Sequence, residues 1–205
     1  ALEKVFLYWL CHLPSAGALQ IRLIGEEAGG FREAYYIEGT QLWKKGILKK
    51  ETDAHRFDDW KKEFSRLEEE YYRLSEKGIC FITPLDEMYP SRLYSVYDYP
   101  MGLYVKGNLP QEDKATAAVI GARNCTAYGR EAANYMAREL AAAGIQIISG
   151  MALGIDGAGH EGALNGGGMT YAVLGCGVDQ CYPRSNYELY ETIPFHAGLI
   201  SEYAL

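Results

Sequence analysis

The sequence predicts an α/β protein, in which a parallel sheet with helices on both faces is preceded by a small all-helical domain. Two observations indicate this fold class. Apolar residues recur at helical spacings through residues 1–78. From residue 79 onward, short apolar runs appear, and the later ones are separated by one helical stretch each, which is the arrangement of βαβ units. We therefore expect a helical domain over residues 1–78 and an α/β domain over residues 79–205.

The helical domain is predicted from amphipathic stretches that glycines separate. In the longest of them, aromatic and leucine side chains from Phe57 to Leu74 repeat every three or four residues, and Gly78 ends the pattern. Gly29 and Gly30 interrupt an earlier stretch. The predicted helices cover residues 2–12, Pro14–Ser15 to Ile24, about 31–37, about 40–45 and 53–78.

The α/β domain is predicted from apolar runs that are short enough for buried strands. The predicted strands cover residues 79–83, 102–107, 115–122, 145–149, 170–175 and 198–201. The predicted helices between the later strands cover residues 129–144, about 156–164 and 186–193. Right-handed crossovers would then place helices on the sheet.

The charge distribution excludes a broad basic face for duplex DNA. The chain has a net charge of −7, and residues 79–205 hold 7 Lys and Arg against 13 Asp and Glu, a net of −6. A phosphate ligand in this half would have to be bound by a few placed cations, backbone N–H groups and helix N-termini.

Other composition features predict a cytoplasmic protein without metal or other cofactor. No apolar run approaches the roughly 18 residues of a membrane span, and the first residues lack the basic leader of a signal peptide. The cysteines form no CxxC pair, so neither a disulfide framework nor a zinc site is indicated. They are Cys11, Cys80, Cys125, Cys176 and Cys181.

Glycine-rich loops follow three of the predicted strands. Because the carboxyl ends of parallel strands meet at one edge, these loops should converge in one crevice. Glycine lets backbone N–H groups approach an anion, and we expect this anion to be a phosphate; the alternative is that these glycines only make tight turns. The candidate residues in the loops are Gly121, Ser149, Gly150, Gly154, Gly175 and Gly177.

Two arginines and a tyrosine are candidate ligand contacts. Arg123 follows a buried strand directly, and its planar guanidinium suits phosphate or a base; a salt bridge to Glu131 or Asp156 is the structural alternative. Arg184 is a second candidate cation, with Tyr182 as a stacking partner; a solvated loop charge is its alternative.

Asp156 and His160 lie four residues apart on a predicted helix. They share a face and could form an acid/base pair, but capping by Asp156 and a hydrogen bond from His160 that holds the crevice walls is the favoured interpretation. GxSxG and Walker motifs are absent from the sequence, and the LGCGVD segment (174–179) contains only half of a GxGxxG dinucleotide fingerprint. This argues against hydrolase, kinase and dehydrogenase functions.

Five segments, in this order, resemble the motifs of the DNA-processing protein A (DprA/Smf) family. They are YPSRLYSVYDYPMGLYVKGN (89–108), AVIGARNCTAYGREAA (118–133), IISGMALGIDGAGHEGAL (147–164), TYAVLGCGVDQCYPRSN (170–186) and GLISEY (198–203). The resemblance implies a Rossmann-like domain, and the N-terminal helices resemble the sterile-alpha-motif-like domain that precedes it in many members.

The resemblance also implies a function. Members bind single-stranded DNA during natural transformation, protect incoming strands, load a RecA-type recombinase and form homodimers, without established turnover. By position, Arg123 matches the DNA-contacting arginine, and the loops Ser149–Asp156 and Gly175–Asp179 match the walls of a phosphate pocket. Asp179 therefore joins Asp156 and His160 as a residue expected to shape the pocket. The Tyr182–Arg184 turn matches the family's YP-basic turn.

The sequence departs from the family pattern in two ways. Leu153 replaces a basic residue that many members carry. Members also continue past the GLISEY motif, so we expect the Rossmann-like domain to be incomplete here.

Two alternative functions are considered. One alternative is a nucleotide-binding enzyme or sensor similar to the phosphoribohydrolases. The segment GGGMT (166–170) weakly resembles their PGGxGTxxE motif but lacks the glutamate. The other is an interaction module whose helices dock a partner.

Overall fold

The computed structural model describes residues 2–14 and 16–205, except for the side chain of Leu2. Ser15, where the second helix was expected to open, lies outside the described residues. The chain forms two compact units. The first contains the residues up to 77 together with 81–102, and the second contains residues 78–80 and 103–205. The predicted domain boundary at residue 78 stays a prediction.

The first unit is built from six α-helices among the described residues. The helices pack around an aromatic core in which Tyr8, Trp9 and Phe57 are fully buried. Their bounds are α1 Leu2–Cys11, α2 Ala18–Ala28, α3 Phe31–Ala34, α4 Gly39–Lys44, α5 Glu51–Trp60 and α6 Phe64–Arg73.

The long helix predicted over residues 53–78 is interrupted. A 3-10 turn at Lys61–Glu63 separates α5 from α6, and a second one follows at Ser75–Lys77. At the first break the indole of Trp9 donates to the carbonyl of Trp60 at 3.0 Å, and the indole of Trp60 donates to the carbonyl of Trp9 at 3.1 Å. The Trp60 carbonyl is therefore used by a tertiary contact, which periodicity along one helix does not reveal.

The strands form a mixed sheet with the order β1-β2-β6-β5-β4-β3, of which β2 to β6 lie entirely in the second unit. Strands β3 to β6 are parallel, as predicted, but β2 is antiparallel to β6. The residues between β2 and β3, 108–115, are too few for the crossover that parallel strands need. The strands are β1 Ile79–Ile82, β2 Leu103–Gly107, β3 Thr116–Ala118, β4 Gln146–Ser149, β5 Thr170–Leu174 and β6 Gly198–Ser201.

Three helices connect the parallel strands: α7 Ala127–Ala142, α8 Ile155–Asn165 and α9 Tyr187–His196. The strand order steps from β3 to β6 in one direction, so right-handed crossovers place all three helices on one face of the sheet. The α/β class is confirmed. The second helical layer that we expected on the opposite face is not formed by these crossovers.

Helices α7 and α8 approach each other closely because Gly162 in α8 and Gly166 directly after it lie where they meet. A Cβ atom on Gly162 would lie 2.2 Å from the carbonyl oxygen of Asn134, and one on Gly166 would lie 2.5 Å from that of Arg138. These glycines therefore allow the two helices to pack closely, a role that differs from the one expected of the glycines at the strand ends.

Candidate functional site

A cleft of about 250 Å³ lies at the carboxyl edge of the parallel strands. Four of the predicted site residues, Arg123, Gly150, Gly175 and Tyr182, line it together. The loops after β3, β4 and β5 thus converge as their order in the sheet requires. The complete lining is Arg123, Gly150, Ala152, Leu153, Leu174, Gly175, Cys176, Tyr182 and Pro183.

Arg123 supplies positive charge to this cleft. Its side chain is exposed, and within the described residues no carboxylate lies at salt-bridge distance from it. The salt bridges to Glu131 or Asp156 that we considered as alternatives are not formed. The guanidinium is therefore available to a ligand.

Asp156 holds two walls of the cleft together. It lies in the first turn of α8, is 7% exposed, and accepts hydrogen bonds from the backbone N–H of Gly121 at 3.4 Å and of Gly150 at 3.1 Å. These N–H groups, which the sequence suggested for an anionic ligand, bind a carboxylate of the protein itself. Asp156 thus joins the loops after β3 and β4.

The first turn of α8 is also tied to the Arg123 loop. The N–H of Ile155 donates to the carbonyl of Ala122 at 3.3 Å. Gly154 has φ +78°, and a Cβ there would lie 2.3 Å from the same oxygen. Only glycine permits this approach. Gly154 therefore shapes the cleft without lining it.

Asn186 is a structural residue that the sequence reasoning missed. Its amide Nδ2 donates to the carbonyl of Met151 at 2.8 Å and to that of Ala152 at 3.1 Å. Met151 is buried and has φ +62°, an unusual conformation for a residue with a side chain. Asn186 lies in the YPRSN segment (182–186), three residues after Pro183, which lines the cleft. The position of this Asn in a family motif is the sequence feature that could have indicated its role.

Ser149 and His160 lie behind the cleft. The Ser149 hydroxyl donates to the carbonyl of Val119 at 2.7 Å, which joins β3 and β4. His160 is fully buried, and its Nδ1 lies 2.6 Å from the hydroxyl of Thr170. Burial lowers the pKa of His160 to about 4, so the imidazole is neutral near pH 7. His160 therefore supports the first residue of β5, at the amino end of that strand, and not the crevice walls that we expected it to hold.

The loop after β5 is held by two hydroxyl groups. Ser201 donates to the carbonyl of Cys176 at 2.7 Å, and Tyr190 donates to that of Val178 at 2.8 Å. Burial, followed by the charge of Asp179, raises the pKa of the Cys176 thiol and raises that of Tyr190 to about 12. Both groups therefore stay protonated at neutral pH.

The remaining predicted residues differ in their exposure and in whether they line the cleft. Tyr182 is 70% exposed and Leu153 is 44% exposed, so both rim side chains offer apolar surface to a ligand. Arg184 and Asp179 are exposed and do not line the cleft, and Gly177 is buried. A Cβ on Gly177 would lie 2.7 Å from the carbonyl oxygen of Ala204, so this glycine permits a backbone contact.

Over residues 2–14 and 16–205, the His, Cys, Asp and Glu side chains form no group of three or more that could hold a metal ion. None of the helices in this described part combines the length and apolar character needed to cross a membrane.

A family model described as DNA recombination-mediator protein A matches residues 80–205. The chain belongs to this family. The DprA/Smf family that the sequence motifs indicated is therefore confirmed.

Curated relatives agree with this assignment. The DNA processing protein DprA of Bacillus subtilis (strain 168) is 36% identical over 129 residues, which are 62% of this chain and 43% of the relative. DprA of Streptococcus pneumoniae is 40% identical over 119 residues, or 58% and 42% of the two chains. A putative DprA of Mycobacterium tuberculosis is 33% identical over 180 residues, or 82% and 46%. The chain spans less than half the length of these relatives.

Two solved DprA structures resemble this one. The X-ray structure of DprA from Streptococcus pneumoniae has a TM-score of 0.78 and 29% identity, and the match covers 96% of this chain and 66% of that one. A structure of Helicobacter pylori DprA, described as giving insight into that protein's single-stranded DNA binding mode, has a TM-score of 0.55 and 31% identity over 62% of this chain and 56% of that one.

Proposed function

We propose that this DprA-family chain binds single-stranded DNA at the cleft, without chemical turnover, during DNA uptake in natural transformation. The observation that carries the proposal is Arg123, which is exposed at the cleft and has no acidic partner among the described residues. Family membership and the binding mode described for the Helicobacter pylori relative support it.

The chemistry of the cleft suits one segment of a single strand. The Arg123 guanidinium matches a phosphate with two parallel N–H donors. Tyr182 offers an exposed ring to a base, and stacking of this kind contributes ~1–3 kcal/mol per base. Bases in a duplex have both faces covered, so this contact favours single strands.

The scarcity of cations predicts a weak salt dependence. Residues 79–205 carry a net charge of −6, and two of their seven basic residues, Arg123 and Arg184, are candidate phosphate contacts. Each neutralised phosphate contributes a slope of about −0.7 in log K against log salt for a single strand, so two contacts give about −1.4.

A binding role rather than catalysis is supported by the protonation states at the site. The Cys176 thiol, whose pKa is raised, is a poor nucleophile, and the neutral His160 is buried behind the sheet edge. None of the described residues that line the cleft is a histidine or a carboxylate. Histidine and carboxylate side chains are the groups that most often act as a general base.

The test is fluorescence anisotropy with labelled single-stranded and duplex oligonucleotides of equal length. We expect preference for the single strand, and about tenfold or greater weakening in Arg123→Ala, because a hydrogen bond to a charged group contributes ~1.5–3 kcal/mol. Arg138→Ala is the matched control, since Arg138 is an exposed arginine of the same unit and pairs with Glu139. Equal affinity for duplex and single strand would refute the proposal.

The same assay separates the proposed function from binding of a small nucleotide. Nucleoside monophosphates should compete only weakly with the oligonucleotide. Tight binding of a monophosphate together with its hydrolysis would favour the phosphoribohydrolase-like alternative instead.

Strand protection, loading of a RecA-type recombinase, homodimer formation and action in the cytoplasm belong to the same proposal, as the family resemblance implies. Nuclease digestion of bound strands, recombinase filament assembly on them and sedimentation analysis test the first three. Each should be compared between this chain and Arg123→Ala.

A further inference from the structure

The sheet edge that bears the cleft continues past β5 to the end of β6. Because β5 and β6 are parallel, the residues after Ser201 leave the sheet at the same edge as the cleft loops. Tyr203 follows there, and its side chain is 59% exposed. The ligand contacts that we predicted from the sequence do not include Tyr203.

A buried hydroxyl connects Tyr203 to the wall of the cleft. Ser201 is 1% exposed; its Oγ accepts a hydrogen bond from the N–H of Tyr203 at 2.9 Å and donates to the carbonyl of Cys176 at 2.7 Å. Cys176 lines the cleft. The backbone of Tyr203 is thus fixed relative to the site while its ring is left to solvent.

A second contact fixes the same segment. The carbonyl oxygen of Ala204 lies 2.7 Å from the position that a Cβ on Gly177 would occupy, so the two backbones touch. An aromatic ring on a backbone held at both sides loses little conformational freedom when it binds a ligand, which is the usual advantage of preorganisation.

The position of Tyr203 determines how long a ligand must be to reach it. Arg123 follows β3 and Tyr203 follows β6, so three inter-strand spacings separate the ends of the two strands. At ~4.8 Å each this is ~14 Å, or about four nucleotides at the ~3.4 Å repeat of a stacked strand, and fewer when the strand is extended.

The charge of this unit also favours stacking as a source of affinity for a nucleic acid. Its net charge is negative and its candidate phosphate contacts are few, so additional affinity for a nucleic acid has to come from rings rather than from cations. Tyr182 and Tyr203 are both exposed rings: Tyr182 lines the cleft together with Cys176, and the backbone of Tyr203 is connected to Cys176 through Ser201.

We propose that Tyr203 is a second stacking subsite, which binds a nucleobase of the same single strand whose phosphate lies at Arg123. The inference rests on the proposed function and specifies its ligand: the site takes an oligonucleotide of several residues rather than a mononucleotide.

The experiment measures affinity against strand length for the whole chain. Labelled oligothymidylates of two, four, eight and twelve nucleotides are bound to the wild type, Tyr203→Ala and Tyr203→Phe. Tyr135→Ala is the matched control, because Tyr135 is a tyrosine with 58% exposure on α7. Circular dichroism and the unfolding midpoint of each variant establish that it is folded.

We expect Tyr203→Ala to weaken binding of the eight- and twelve-nucleotide strands by about 5- to 150-fold, the range for one stacked base, and to leave the dinucleotide unchanged. Tyr203→Phe and Tyr135→Ala should bind all lengths like the wild type. A strand with 2-aminopurine at the stacked position should be quenched by the wild type and not by Tyr203→Ala.

Three results would overturn the inference. Unchanged affinity of Tyr203→Ala at every length removes the subsite. An equal loss at every length, the dinucleotide included, shows that Tyr203 acts on the structure of the cleft. A wild type that binds no single strand refutes the proposed function and the subsite with it, and this outcome differs from the first two because it does not depend on the Tyr203 variants.

Discussion

Removing the Asp156 carboxylate should destabilise the α/β unit and open the cleft. In Asp156→Ala the N–H groups of Gly121 and Gly150 lose their charged acceptor, and a hydrogen bond to a charged group contributes ~1.5–3 kcal/mol. The bond to Gly121 is long at 3.4 Å, so it contributes at the lower end. We expect a loss of about 2–4 kcal/mol in the free energy of unfolding.

The isosteric Asp156→Asn variant should lose part of this stability. Its single carbonyl oxygen can accept from one N–H group, while its NH₂ group faces the other donor. Both variants should also weaken binding of single-stranded DNA, because the loops that carry Arg123 and Gly150 are no longer held together.

Urea unfolding followed by circular dichroism measures the effect. Asp179→Ala is the control, since Asp179 is an exposed carboxylate at the same sheet edge, and it should change stability by less than about 0.5 kcal/mol. If Asp156→Ala unfolds at the wild-type urea concentration, or if Asp179→Ala is destabilised equally, the structural role assigned to Asp156 is wrong.

Two further predictions concern stability. The folded-state pKa of His160, about 4, lies below the ordinary value of 6.5, so the contribution of the neutral imidazole is complete above pH 6.5 and is lost as the pH falls towards 4. The total is roughly 3 kcal/mol at 1.36 kcal/mol per pKa unit. Unfolding measured between pH 7 and pH 4 should therefore show a steeper decline in the wild type than in His160→Gln, whereas replacing the exposed His55 by Gln should leave the decline unchanged. Gly162→Ala should lower the unfolding midpoint, because its Cβ would lie 2.2 Å from the carbonyl oxygen of Asn134. The overpacking costs ~1–3 kcal/mol, which equals or exceeds the ~1 kcal/mol that alanine gains over glycine in helix propensity. Gly175→Ala, with nothing within 4 Å, should unfold like the wild type, and equal midpoints for the two glycine variants would contradict the packing argument.

Much of the α/β unit could be predicted from local pattern. The strand predicted at 198–201 has those bounds in the structure, and the predicted helix at 156–164 differs from α8 by one residue at either end. These elements are set by runs of apolar residues and by glycines at their ends, which are properties of neighbouring positions. The prediction of one long helix over residues 53–78 was wrong. At its interruption the carbonyl of Trp60 accepts a hydrogen bond from Trp9, which lies more than fifty residues away along the chain.

The candidate site divides in the same way. Sequence order placed Arg123, Gly150 and Gly175 after parallel strands, and such strands bring their carboxyl ends together, so their convergence followed without coordinates. The same pattern could not distinguish Gly175, which lines the cleft, from Gly154 and Gly162, which allow backbones to approach, because the difference lies in the neighbours of an absent Cβ.

By itself, therefore, the sequence determined the α/β class, the family, most elements and the strand ends that meet at the cleft, since each depends on local order or on the geometry that all parallel sheets share. Only the tertiary structure decided that Asp156 occupies the loop N–H groups, that Arg123 is left without an acidic partner among the described residues, and that Ser201 links the backbone of Tyr203 to Cys176 in the cleft wall. The physical reason is that a hydrogen bond or a salt bridge is chosen among all groups within about 3–4 Å in space, and residues far apart along the chain compete for it on equal terms.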